Sequence, residues 1–540
     1  MTLPAPQTVQ DAQLHAMWSE YLGEQLPCEA LVAAAGAWPD TQSVALPFRD
    51  IERSQPELAD YLLERPAHAL RLGAAAVAAK VGELWAAGTG ALVPRLSLRI
   101  YGLPEKLRLP PRHLGVEQIG KLVPVQGLVA AAGKILQAYT EAVWECKVCT
   151  TRATVPQEDD ELTEPVLCET CEKPSKWRHL VDEGKRHDYC AIRLQDLPDT
   201  LNGGQVPEDV TVHLVGDLAR CTQPGSRVVV TGFLGSKFLR THGRRSNLAQ
   251  PVLHAIHVEE DASQVVDLEV APEESALFER LAARPDVHHE LMRCVSPSTL
   301  GLEGPRLSCL YALAGAPDIM NSDGSVRRGR IHVLIAGEPG VAKSMVLRSL
   351  RNYVPRCVEV NGIDANKTGL GAGIAKDGPD GEWMVEAGAL VLAHLGYLFF
   401  DEFGLLEDEH RGVMNSSMEE GRILLTKIRK GELAAKATVI AVMNPVFHRF
   451  DRHQPYLEQL GMSHALRSRF DLTWCVLDVV DRARDNALAD HKRKSEARGV
   501  DVREHFDIAL NADQLRRYLN EARKLNPTIS DGAHAMLKAF

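Results

Sequence analysis

Two short runs in this sequence combine reactive side chains with backbone able to hold an anion. The first is Gly337-Glu338-Pro339-Gly340-Val341-Ala342-Lys343-Ser344. Glycines let consecutive N–H groups turn inward, and a helix opening here would aim its partial positive charge at the same anion. Lys343 has the charge and reach for the β- and γ-phosphates of a nucleotide, and the Ser344 hydroxyl is a hard ligand for Mg2+. The general pattern has Gly before the lysine, where this chain has Ala342. The second run is Leu398-Phe399-Phe400-Asp401-Glu402, apolar residues closed by two acids. Downstream of a phosphate loop, Asp401 would hold Mg2+ through water and Glu402 would polarise an attacking water. Asn444, at the end of the apolar run Val439–Val442, offers an amide to a γ-phosphate or that water. Arg469, in Ser468-Arg469-Phe470-Asp471, is placed to reach a phosphate on a neighbouring subunit. Taken alone, either of these last two would read as a surface turn.

Four cysteines form a separate constellation. Cys146 and Cys149, then 18 intervening residues, then Cys168 and Cys171, give the spacing of a tetrahedral structural Zn2+ site with no open position. Two stretches are locally basic. Between Ala219 and Val258 there is no Asp or Glu, while Arg220, Arg227, Lys237, Arg240, Arg244 and Arg245 add six positive charges to a chain of net charge −11. The segment from Lys237 to Arg245 brackets Thr-His-Gly, which reads as a hairpin tip able to track phosphates, or as a solvated loop face. The second stretch, Arg422–Lys436, carries Lys427, Arg429, Lys430 and Lys436 against the single acid Glu432.

To act together, these residues need elements that end at one edge. Ile331–Ala336, Leu398–Phe400 and Thr438–Val442 read as buried strands separated by helical patterns. That alternation predicts a parallel α/β sheet, whose ligands bind at the strands' C-terminal ends. Upstream, Leu122–Ala130, Val210–Leu218 and Arg227–Leu234 are short β-rich runs broken by Pro and Gly. They predict a small β-barrel of the oligonucleotide-binding (OB) type, with the cysteines inserted. Asp60–Leu72 and Ala67–Trp85 carry apolar residues at helical spacing. After Leu477 the pattern turns helical and charged.

Composition narrows the class. The 540 residues are 45% hydrophobic and 25% charged, which excludes wholesale disorder and implies several globular domains. The negative net charge excludes a uniformly basic nucleic-acid coat. An odd count of 11 cysteines argues against a disulfide framework and for a reducing compartment. That compartment would be cytoplasmic, and nucleoid-associated in a prokaryote. The N-terminus lacks the charged-then-apolar start of a secretory signal. The apolar run near Gly388–Phe400 is interrupted by His394 and too short for a membrane span. Neither a signal peptide nor a transmembrane segment is expected.

With these residues in view, the chain resembles the minichromosome maintenance (MCM) replicative helicases, of archaeal or mobile-element type, from about residue 115 onward. The phosphate loop, Ala342 included, is similar to that family's. So are Asp323–His332, Gly381–Leu392, Asp401-Glu402-Phe403, Asn444-Pro445 and Ser468–Asp471. In the β-rich part, Ile192–Pro198 and Pro224–Gly232 look like the family's barrel strands.

The resemblance implies a homo-hexameric ring of AAA+ ATPases that uses ATP and Mg2+ to move on DNA in replication. The DNA would be single-stranded, with double-stranded DNA as an alternative, and sequence preference would be slight. Lys343 and Ser344 would be the phosphate and metal contacts. Asp401 and Glu402 would be the Walker B acids, Asn444 sensor 1, and Arg469 the finger acting on the adjacent subunit. Lys427 would line the channel on the pre-sensor-1 hairpin, Lys237 to Arg245 would form the N-terminal hairpin, and the four cysteines the zinc subdomain. Gly369–Ala375 would begin the helix-2 insertion. The expected domains are a helical subdomain over 1–112, an OB-fold domain over 113–260 with a zinc insertion at about 143–180, a linker over 261–284, an AAA+ core over 285–477 and a partial helical lid over 478–540.

Departures from the family qualify this. The run after Lys427 is one residue shorter, Arg467 replaces a Leu, and Met414-Asn415-Ser416-Ser417 stands where the family has a His-Glu pair. Phe540 falls before the helix that would carry sensor 2. A missing trans-acting charge would cost roughly 3 kcal/mol, or about 100-fold in rate. Two alternatives therefore accompany the helicase reading: a weakly catalytic DNA-binding platform, and an AAA+ remodeller of a protein substrate.

Overall fold

The computed structural model describes residues 9–25, 28–36, 42–86, 96–157, 162–200, 205–241, 244–261, 270–354, 356–376, 383–425, 431–479, 481–495 and 508–539. They fall into two units, 1–261 with 374–386, and 262–373 with 387–540.

In the first unit, the helices Val9–Gln25, Pro56–Glu64 and Pro66–Ala86 pack around Trp18, Leu22, Leu58, Leu62 and Val77, all nearly inaccessible. Periodicity alone carries one helix through Asp60–Leu72. The chain breaks it at Arg65, because Pro66 lacks the N–H that would continue the helix and instead starts the next one.

Most of the rest of this unit is a barrel. Strands Leu122–Ala132, Arg227–Thr241, Arg244–Glu260, Asp209–Val215 and Trp177–Gln195 pair in that order. The last returns to the first through Leu128 opposite Gln195 and Ala132 opposite Ile192. Closure leaves five strands without a free edge, the OB architecture. Alternating inward residues, among them Val125, Val129, Ile192, Leu194, Val212, Val228 and Leu253, fill the interior. The strand Trp177–Gln195 runs past the barrel, where Leu136–Cys146 pairs with it and Arg152–Pro156 pairs in turn with Leu136–Cys146, forming a ribbon. That ribbon carries the cysteines.

The second unit holds a five-stranded parallel sheet in the order Cys357–Asn361, Tyr397–Asp401, Thr438–Met443, Val333–Gly337, Leu472–Val476. Val333–Gly337 and Thr438–Met443 are buried along their whole length, as strands covered on both faces must be. Helices Glu303–Ala314, Lys343–Leu350 and Ala512–Lys524 contribute Leu310, Leu313, Val346, Leu350, Leu515 and Leu519 to that core. One boundary needs correction. Residues 272–282, expected within a linker, form the helix Pro272–Ala282, whose Phe278 and Leu281 are buried in the same core. Beyond Leu477 the described chain is helical at Arg482–Ser495, Ala512–Lys524 and Asp531–Ala539.

Candidate nucleotide site and metal centre

The parallel register brings the chemistry to one edge. Ala336 pairs with Met443, and Phe400 with Ala441. The phosphate loop, Asp401 and Asn444 therefore all leave the sheet where its strands end. Gly340 (φ 88°) and Ala342 (φ 60°) turn left-handed to place Lys343 at the first position of its helix. A left-handed alanine costs about 1–2 kcal/mol, which is why glycine is usual at the second of these positions.

Lys343 is buried and donates to the carbonyls of Gly337 (2.8 Å) and Glu338 (2.7 Å). Burial pulls its ammonium down to about 8, against the pull of Asp401 and Glu338. Even so, it is largely charged at neutral pH. Asp401 Oδ1 accepts from the Ser344 hydroxyl at 3.1 Å and from the Glu402 N–H at 2.9 Å. A hydroxyl and a carboxylate in contact, beside a loop built for phosphate, are the oxygen donors that suit Mg2+. Glu402 sits at a left-handed φ of 52°, and its Oε2 is buried without a hydrogen-bond partner among the described residues. A buried acceptor of this kind is where an ordered water belongs.

Arg469 lies elsewhere. Leu472 pairs with Val333, so Arg469 belongs to the edge where these strands begin. Four steps of strand, roughly 13 Å, separate the two edges along Val333–Gly337. Arg469 pairs with Glu419, and its carbonyl accepts from Arg328 at 3.2 Å. Arg328 also grips Asp471 with both fork nitrogens, at 2.8 and 3.0 Å, while the His332 N–H donates to the same carboxylate at 2.8 Å.

The four cysteines converge. Their sulfurs all lie within 4.8 Å of one another, with Cys149 and Cys168 at 3.4 Å and Cys146 and Cys171 at 4.0 Å. A ZnS4 tetrahedron with 2.3 Å bonds spaces its sulfurs about 3.8 Å apart, so the donor set fits. Each pair sits on the same turn. Thr150 N–H donates to the Cys146 carbonyl and Glu172 N–H to that of Cys168, and both donors are left-handed. Backbone N–H groups of Cys149 and Val148 pull the Cys146 thiol down to about 6, while hydrogen bonding to Cys149 and burial push Cys171 up to about 12. Four sulfurs this close cannot all be thiolates without a cation among them.

The profile of the MCM P-loop domain matches residues 274–495, and that of the MCM OB domain matches residues 108–237. The chain belongs to the MCM family. It is 29% identical to DNA replication licensing factor MCM4 of Drosophila melanogaster over 79% of this chain and 51% of the relative. It is 30% identical to DNA replication licensing factor MCM7 of Oryza sativa subsp. indica over 77% and 59%. Against the minichromosome maintenance protein MCM of Saccharolobus solfataricus, identity is 29% over 83% and 65%. The chain thus spans about half to two-thirds of the length of these relatives.

In this MCM chain both basic segments are β-hairpins. Lys237 pairs with Gln250, Arg240 with Arg245 and Thr241 with Arg244. The tip, 242–243, and the side chains of Arg240, Arg244 and Arg245 lie outside the described residues. Strands Arg422–Leu425 and Gly431–Ala434 pair antiparallel, and Lys427 between them is likewise outside. Gly369–Ala375 spans the end of the helix Lys367–Leu370 and much of the strand Ala372–Lys376. No helix among the described residues is long and apolar enough to cross a membrane.

Three site residues were not read from the sequence. Gly362 abuts the acid turn so closely that a Cβ would collide with the Glu402 carbonyl. Glu419 pairs with Arg469, and Arg328 ties Arg469 to Asp471. Only Arg328 carried a signal, lying within the family-like run Asp323–His332.

Proposed function

We propose that this chain is a subunit of an ATP-driven DNA motor acting in replication, assembled as a homo-hexameric ring. The observation that carries the reading is the split of its chemistry between two edges of one sheet. Lys343, Ser344, Asp401 and Asn444 share the edge where strands end, and Arg469 lies at the edge where they begin. Such a finger serves a phosphate only on another subunit.

In each composite site the loop Gly337–Ser344 cradles the phosphates through backbone N–H groups, and Lys343 neutralises their charge. Ser344 and Asp401 would hold Mg2+, which would supply positive charge at the phosphates. Glu402 orients and deprotonates the attacking water, with its buried Oε2 as acceptor, and Asn444 positions that water against the γ-phosphate. Arg469 of the adjacent subunit stabilises the developing charge. Cys146, Cys149, Cys168 and Cys171 would hold Zn2+, which would cross-link the ribbon beyond the barrel. Lys237, Arg240, Arg244 and Arg245 on one hairpin, and Lys427 on the other, grip DNA phosphates with little regard for sequence. In this reading 1–112, 113–260, 285–477 and 478–540 are the helical, OB, AAA+ and lid segments, with the AAA+ segment extended upstream to include 272–282.

The test is steady-state ATPase with and without single-stranded DNA, beside Glu402→Gln. We expect DNA-stimulated turnover that the substitution lowers by roughly 100-fold or more. Tight binding of ATP and DNA without turnover would replace the motor with a binding platform.

A further inference from the structure

We propose that Glu338 is a positioning residue for ATP turnover, tying the phosphate loop to the loop that follows Asn444 and to the chain entering the C-terminal helices. This rests on the nucleotide-site reading and adds to it a side chain that acts from within the phosphate loop while its own contacts are with backbone N–H groups elsewhere.

Glu338 Oε1 accepts from the Phe450 N–H at 3.0 Å, and Oε2 accepts from the Asp478 N–H at 2.8 Å. Its own N–H donates to the Val476 carbonyl at 3.2 Å, and its carbonyl accepts from Lys343 Nζ at 2.7 Å. One residue of the phosphate loop thus holds the lysine, the last sheet strand, the loop after Asn444 and the entry to the terminal helices. Both carboxylate oxygens are taken by backbone donors. That separates Glu338 from an acid that ligates metal or polarises water.

The loop it holds is itself braced. Phe450 is buried and meets Tyr456 edge-on at 5.4 Å. Asp451 N–H donates to Gln459 Oε1 at 2.7 Å, Gln459 Nε2 returns a bond to the Asp451 carbonyl at 2.8 Å, and Val446 N–H donates to the Gln459 carbonyl at 3.0 Å. A loop this stiff moves as a piece, so the bond at Phe450 sets where Asn444 stands relative to the phosphates.

Charge gives the proposal its sign. A carboxylate beside a polyphosphate opposes binding directly, so at a pH below 7, where Lys343 keeps its charge, removing it does not weaken ATP affinity through electrostatics. A positioning role therefore separates affinity from turnover, whereas loss of a phosphate ligand lowers both.

The experiment uses the full chain with Glu338→Ala and Glu338→Gln. Amide hydrogen exchange is followed in peptides covering 446–452 and 477–481 without nucleotide, alongside the dissociation constant of a fluorescent ATP analogue and kcat. For Glu338→Ala we expect exchange in both segments to quicken roughly tenfold and kcat to fall roughly tenfold, from the loss of two charge-assisted bonds. ATP affinity should be unchanged or tighter. Glu338→Gln retains one acceptor and should fall between the two proteins, which also keeps the test alive if the alanine variant folds poorly. Unchanged exchange in both segments overturns the tie. Quicker exchange with wild-type kcat overturns its role in turnover. Affinity and kcat falling together make Glu338 a nucleotide ligand instead. A wild-type chain that neither binds nor hydrolyses ATP refutes the nucleotide reading, while the exchange data still judge the tie.

Discussion

Removing the Arg469 guanidinium leaves Arg328, Asp471 and His332 joined to one another, so Arg469→Ala keeps the local backbone and loses the charge. The expected protein binds ATP normally and hydrolyses it about 100-fold more slowly. Lys343→Ala instead removes a group that the loop holds through two carbonyls, and should lose nucleotide affinity as well as turnover. The two variants are complementary. Where an Arg469→Ala chain supplies the phosphate loop and a Lys343→Ala chain supplies the finger, the composite site is intact. Mixed equally and reassembled, about one site in four is restored by random neighbours, and turnover should recover toward that fraction. A mixture as inactive as its components would place the action of Arg469 within its own chain.

The hairpin formed by Arg227–Thr241 and Arg244–Glu260 makes its prediction as a unit, since strand pairing fixes its basic residues relative to one another. Replacing Lys237, Arg240 and Arg244 with alanine should reduce the slope of log affinity for single-stranded DNA against log salt by about 2, at roughly 0.7 per lost phosphate contact. An unchanged slope would remove this hairpin from the DNA path. Elements differ in how openly the sequence declares them. The sheet strands were legible because burial on both faces demands continuous apolar runs: Ile331–Ala336 was expected and Val333–Gly337 is found. Most of the strand Trp177–Gln195 was not, because Asp182, Glu183, Lys185 and Arg186 lie on its ribbon half, where pairing needs no apolar face. The helix Pro272–Ala282 hid behind an acidic start, with Phe278 and Leu281 as its only fully buried residues. At the site, Lys343, Asp401 and the cysteines were legible because their chemistry sits in contiguous motifs. Gly362, Glu419 and the bonds of Glu338 were not, because each depends on a partner brought close only by folding, 140 residues away for Asp478.

Stability of the P-loop unit as a whole should depend on two histidines kept neutral. Burial, then the positive charge of Arg328, pulls His332 down to about 3; burial, then Arg356 and Lys436, pulls His394 down to about 4. Each accepts a backbone N–H on Nδ1, His332 from Val439 and His394 from Lys436, both at 3.0 Å, which only the neutral ring can do. The unfolded chain takes up these protons below about 6.5 and the folded chain does not, so stability rises with pH in this window. As pH falls below 6.5 the unit should lose up to about 1.4 kcal/mol per pH unit for each histidine, until their folded values are reached. Urea midpoints at pH 7.5 and 5 measure this directly. A midpoint that does not move would mean that both rings already protonate in the folded unit.

The separation of Arg469 from Lys343 along one strand also constrains symmetry. A two-fold pair presents the same patch twice, and two edges roughly 13 Å apart on opposite ends of a strand are poorly placed to share one patch. Under the proposed function, contacts that join finger to loop would therefore be head-to-tail, and an open row of such subunits would leave one loop and one finger unmatched at its ends. Closing the row adds a final site without adding a subunit, so activity per chain should rise at the moment of closure.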